Sequence, residues 1–130
     1  MILKTVLSAM LIVVTSSAHA FEISFSWDGL ELCNDGYANT VMSPEFKLKD
    51  VPEGTKFIKF KMVDKNVPQY NHGGGTVEYS GGDVVAAGQF KYKSPCPPGG
   101  THTYEWTATA QSKKNGGKLG VAKAQRTYPE

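Results

Sequence analysis

The stretch Tyr92-Lys93-Ser94-Pro95-Cys96-Pro97-Pro98-Gly99-Gly100-Thr101-His102-Thr103-Tyr104-Glu105-Trp106 joins a stiff proline loop to a strand. Pro95, Pro97 and Pro98 have a fixed φ and no N–H, so they form a wall that costs little entropy to order. Beyond the glycines, His102, Tyr104, Trp106, Ala108 and Ala110 alternate with Thr103, Glu105, Thr107 and Thr109. A period of two is the mark of a strand with one buried face. His102 therefore opens an apolar face where the proline wall ends, and a polar ring at the rim of a core is the start of a small binding pocket.

The same alternation recurs upstream. Phe21, Ile23, Phe25 and Trp27 interleave with Glu22, Ser24, Ser26 and Asp28, and an Asp28-Gly29 turn closes that strand. From Phe57 to Asp64, Ile58, Phe60 and Met62 share one face while Lys59 and Lys61 occupy the other. Weaker strands are expected near Glu45–Lys49, Thr76–Tyr79, Gln89–Tyr92 and Leu119–Thr127. Turn signals punctuate them at Pro52-Glu53-Gly54, Gly73-Gly74-Gly75, Gly81-Gly82-Asp83 and Asn115-Gly116-Gly117. No sustained helical period follows residue 20. The pattern predicts an all-β, antiparallel sandwich.

The first twenty residues read as an address label. Met1 to Lys4 is a short positive start, Thr5 to Val14 is apolar, and Ser17-Ala18-His19-Ala20 ends in the small-x-small pattern of a signal-peptidase site. The apolar run is too short to span a bilayer comfortably, so no transmembrane anchor is expected. Residues 1–20 are thus expected to be a signal peptide, residues 21–130 a single domain, and the mature protein periplasmic or secreted. Without Lys4 the balance is 13 basic to 12 acidic residues. With no basic stripe interleaved with aromatics, nucleic acid is excluded as the expected partner.

Asp64 shares the parity of Ile58, Phe60 and Met62, so its carboxylate sits at the end of an apolar face and needs donors nearby. His72 and His102, the two histidines beyond the leader, each adjoin a loop motif. One reading is an Asp–His pair at a pocket mouth that holds a polar head group. The other is that Asp64 caps a loop and both histidines are partly exposed. The Gly73-Gly74-Gly75 run is either a nest of N–H groups for an oxyanion or a flexible hairpin connection. Hydrolysis has little support, because Ser43 and Ser94 lie beside prolines and not on a nucleophile elbow. A copper or zinc site from His72, His102, Cys96 and Met62 lacks tight ligand spacing. Neither a metal nor a cofactor is expected, nor an enzyme.

Cys33-Asn34-Asp35-Gly36, Ser43-Pro44-Glu45-Phe46, Val51-Pro52-Glu53-Gly54-Thr55-Lys56, Asp64 to Pro68, and Pro95-Cys96-Pro97-Pro98 with His102-x-Tyr104 occur in a telling order. It resembles that of the phosphatidylethanolamine-binding proteins, in particular their short bacterial secreted, Raf-kinase-inhibitor-like branch. The resemblance covers roughly Cys33 to Ala110. It implies a Greek-key β-sandwich with an anion pocket at one end, lined by Asp64, Pro68, His72, Pro97, His102 and Tyr104. The chain departs from the family pattern in several places. Asn66 stands for a second aspartate, Gly73 for a tryptophan and Thr103 for an arginine, and the C-terminal helical extension is missing. Losing the arginine removes a bidentate anion clamp, and losing the tryptophan and the extension implies a shallower, wetter pocket.

The expected function is non-enzymatic binding of a small anion or a phospholipid head group. The alternative is a protein-interaction or inhibitor module whose pocket is vestigial, with a protein partner. Two cysteines in an exported chain of this size predict a Cys33–Cys96 disulfide. The alternative is free thiols, since a cysteine in the proline loop also occurs in this family without an obvious mate.

Overall fold

In a computed structural model of the chain, residues 2, 8–13 and 20–130 are described. They form nine strands and no α-helix: β1 (Glu22–Ser24), β2 (Thr40–Met42), β3 (Phe46–Lys49), β4 (Phe57–Asp64), β5 (Gly74–Glu78), β6 (Val84–Val85), β7 (Lys91–Lys93), β8 (His102–Lys113) and β9 (Gly116–Tyr128). All pairings are antiparallel. β5-β4-β8-β9 make the main sheet, and β1-β3-β6 and β2-β7 make two smaller ones. Most of the leader expectation lies outside the described residues. Met10, Leu11, Ile12 and Val13, which do not, are exposed, and no described helix is long and apolar enough to cross a membrane.

The inward faces are those the alternation predicts. Tyr104, Trp106, Ala108 and Ala110 of β8 and Ile58, Phe60 and Met62 of β4 are buried, whereas Lys59 and Lys61 are exposed. Both strands meet in one register, with Phe60 opposite Ala108 and Met62 opposite Trp106. Large residues on β4 thus face small or planar ones on β8, which lets a second layer close over them. Phe46 of β3 supplies that layer: it stacks on Phe60 at 4.2 Å and meets Trp106 edge-on at 5.2 Å. Ile23 and Phe25 reach the same core from the first strand. Removing Trp106, wholly buried, should cost about 3–5 kcal/mol through the cavity it leaves.

Two local expectations are corrected. The glycine run is not a hairpin connection, because Gly74 and Gly75 lie within β5, opposite Lys61 and Phe60. A Cβ on Gly74 would fall 1.9 Å from the Phe60 carbonyl oxygen, and one on Gly75 would fall 2.6 Å from Phe90. Glycine is required there for close approach and not for flexibility. The last hairpin turns at Lys114-Asn115, with Gly116 already paired to Lys113. Strands β2 and β6 have three and two residues, too few for a period to show.

Candidate functional site

The register that aligns β4 with β8 places Asp64, the last residue of β4, opposite Tyr104 and beside His102. His102 Nδ1 lies 2.6 Å from Asp64 Oδ2. The Asp64 side chain is 6% exposed and that of His102 19%, so the carboxylate is inside and the imidazole at the rim. The other carboxylate oxygen accepts the backbone N–H groups of Asn66 at 2.9 Å and Val67 at 3.3 Å, which closes the turn after the strand. Asp64 therefore caps a loop with one oxygen and orients a histidine with the other. With Nδ1–H given to Asp64, Nε2 is the ring nitrogen left without a protein partner among the described residues.

Tyr104 completes the arrangement from inside. Its hydroxyl hydrogen-bonds to the Asp64 carboxylate and to the Cys96 backbone, so it joins the proline loop to the pair. Burial first, and the Asp64 charge second, push this phenol well above its usual range. Trp27 and Tyr128 pack edge-on against Tyr104 at 5.9 and 6.4 Å. Tyr92, deep in the same core, is pushed up to about 12, by burial and then by Tyr128.

His72 differs from the expectation of a partly exposed ring: it is only 4% exposed. Its Nδ1–H donates to the Lys93 carbonyl at 2.8 Å, and the Lys93 N–H donates back to the His72 carbonyl at 2.8 Å. Tyr70 packs against it tilted at 4.6 Å and Tyr104 edge-on at 5.5 Å. Burial holds its pKa below the ordinary 6.5, against opposing effects from the Lys93 and Ser94 backbones and from Asp64. His72 is thus a neutral core histidine that fixes β7 beside the site.

The two prolines separate. Pro97 is fully buried within the proline loop, whereas Pro68 is exposed in the turn closed by the Tyr70 N–H to the Val67 carbonyl at 3.1 Å. Asp64, His102 and Tyr104 form one cluster with His72 beside it, and Pro68 stands apart. Asn66, which replaces an acidic residue of the family pattern, has its own task. Its Oδ1 accepts the Thr103 N–H at 2.9 Å, and the Lys65 N–H donates to the Thr103 carbonyl at 2.7 Å. These two bonds clamp the turn to the start of β8 and hold Asp64 and His102 in contact. An asparagine two residues after an aspartate was the available signal.

The disulfide is formed between Cys33 and Cys96, with an S–S distance of 2.01 Å. It ties the segment after the first strand to the proline loop, where Asp35 Oδ1 also approaches Cys96 Sγ at 3.1 Å. These three residues carry ligand-type atoms in close range, but with both sulfurs bonded to each other they offer a metal no thiolate. A cleft of about 870 Å³ runs elsewhere, lined by the 26–32 segment and by β2 and its flanks, and includes none of Asp64, His72, His102 and Tyr104.

No protein-family model matches the chain, and no curated protein does. Solved structures do. A phosphatidylethanolamine-binding protein homolog from Chlamydia trachomatis superposes with a TM-score of 0.60 over 87% of this chain and 99% of its own, at 17% identity. YbcL of E. coli, described as a new member of the mammalian family of these proteins, superposes with a TM-score of 0.61 over 85% and 98%, at 15% identity. The chain therefore has the phosphatidylethanolamine-binding-protein fold, as the order of its motifs implies.

Proposed function

We propose that this protein binds a small anion, such as phosphate or the phosphate of a phospholipid head group, at His102 without transforming it. The observation that carries the reading is the 2.6 Å contact between Asp64 and His102. A buried carboxylate fixes one ring nitrogen, so the other is aimed and free to donate when the ring is protonated. Charge-assisted N–H···O bonds to an oxyanion are the strong kind. The phosphatidylethanolamine-binding character named for the Chlamydia trachomatis neighbour supports the same chemistry.

The case for binding without catalysis is that Asp64 already accepts from two amides, His102 and Tyr104, which leaves it poorly placed to take a further proton. Calorimetric titration of residues 21–130 with phosphate and with phosphoethanolamine tests this. No heat of binding rejects the reading, and binding unaffected by His102→Ala moves the site elsewhere.

A further inference from the structure

We propose that the open edge of β2, with the acid-rimmed cleft beside it, receives an extended basic segment of another protein by strand addition. The first observation is the pairing. The Ser94 N–H donates to the Asn39 carbonyl at 2.8 Å and the Ser43 N–H to the Phe90 carbonyl at 2.7 Å, so Asn39, Val41 and Ser43 turn their backbone groups toward β7. By alternation, the N–H and C=O groups of Thr40 and Met42 turn the other way. β7 is the one sheet neighbour of β2 among the described residues, and the strand itself holds no proline or bulge, although it is short and Pro44 ends its outward row of N–H groups. An unpaired edge is a template for another chain.

The second observation is what lies beside that edge. The cleft of about 870 Å³ is lined by Val41 and Met42 on the strand and by the 26–32 segment. Its apolar lining includes Trp27, Leu30 and Leu32, and Leu32 and Met42 are 70% and 52% exposed. In strand addition the backbone supplies the affinity, and alternate side chains of the guest drop into pockets beside the edge. This cleft suits the inward set of such a guest.

Charge selects the guest. Asp28, Glu31 and Glu45 are among the lining residues, and the lining contains no lysine, arginine or histidine. None of the three carboxylates has an ion pair among the described residues. A second copy of this chain would bring the same three acids against them in a two-fold pairing, where like charges repel. A guest strand that carries lysine or arginine among the side chains reaching the cleft meets complementary charge instead.

The test uses the mature, disulfide-bonded protein and two labelled peptides, acetyl-(Lys-Val)₃-amide and acetyl-(Glu-Val)₃-amide, in low-salt buffer. Anisotropy should show the lysine peptide binding and the glutamate peptide at least tenfold weaker. Peptide addition should slow amide exchange at Thr40 and Met42, which diffuse charge attraction would not do. Thr40→Pro removes one outward N–H at a position where an edge strand tolerates proline, and should weaken binding about tenfold. The double change Glu31→Lys with Glu45→Lys should weaken it at least as much, and a thermal melt of each variant checks folding. Equal binding of both peptides, or unchanged exchange at Thr40 and Met42, overturns the proposal. So does concentration-dependent dimerisation lost in Thr40→Pro, because the occupant would then be a second copy.

Discussion

Two regions of this sandwich carry acidic side chains to opposite ends of the same logic. At the end of β4, Asp64 is buried and its acceptor sites are taken by two amides, a histidine and a tyrosine. Along the cleft, Asp28, Glu31 and Glu45 are exposed and have no ion pair among the described residues. A saturated carboxylate can only position a neighbour, and here it positions His102. An unsaturated one is available to an incoming group. The comparison teaches that the acid held by the fold orients His102, as the proposed anion site requires, while the acids the fold leaves open are available to the cationic segment proposed above.

The disulfide links the two regions, since Cys33 follows the cleft segment and Cys96 sits in the proline loop. Replacing both cysteines by serine opens a loop of 63 residues. On the chain-entropy model that should cost about 4 kcal/mol, read as a shift in the urea midpoint. A loss near zero would mean that the two regions are held together by packing alone.

Asp64→Ala comes next. It strips His102 of its carboxylate partner and orphans the Asn66 N–H, and should cost about 3 kcal/mol. Glu31→Ala, the same chemical change on the cleft, should stay within about 0.5 kcal/mol, as expected for an exposed group with no partner. Equal costs at the two positions would erase the distinction drawn between them.

His72 sharpens the contrast through pH. Burial lowers its pKa in the folded state below 6.5, so the unfolded chain takes up this proton first. The stability it contributes is complete above about pH 6.5 and is lost as pH falls from there through the lowered folded value. His72→Gln should flatten this slope in denaturation curves taken between pH 7 and 5. The phenols act at the other extreme. Tyr104 and Tyr92 are raised from an ordinary 10.0, so their contribution is lost as pH climbs above about 10. Smallest of the site effects, Asn66→Ala removes one hydrogen bond to Thr103 and should cost about 1 kcal/mol, while loosening the Asp64–His102 contact.

Much of the fold was legible because its long strands carry their pattern in aromatic and β-branched residues. Ile58, Phe60 and Met62 against Lys59 and Lys61 leave one face to bury, and Tyr104, Trp106 and Ala108 do the same. The parity that buried Ile58 also carried Asp64 inward, and the parity of β8 carried His102 to the rim, so the central pair could be read before any geometry. The rest depends on partners distant in sequence. Thr40–Met42 becomes a strand because Ser94 and Phe90 pair with its flanks, and nothing local in three residues records that. His72 is buried by the Lys93 carbonyl and by Tyr70 and Tyr104, so its own neighbours in sequence did not reveal it as a core residue. Asn66 looked like the loss of an acid, yet its amide oxygen is what receives Thr103.

The central claim is that Asp64 aims His102 at an anion. Its most direct test is a phosphate titration of residues 21–130 followed by histidine ring NMR, with His102→Ala beside the wild type. The account predicts saturable shifts confined to the His102 ring, little movement of the buried His72 ring, and loss of phosphate binding in His102→Ala with the melting temperature nearly kept. A His102 ring unmoved by phosphate would contradict it, and the Asp64–His102 pair would then be a structural clamp only.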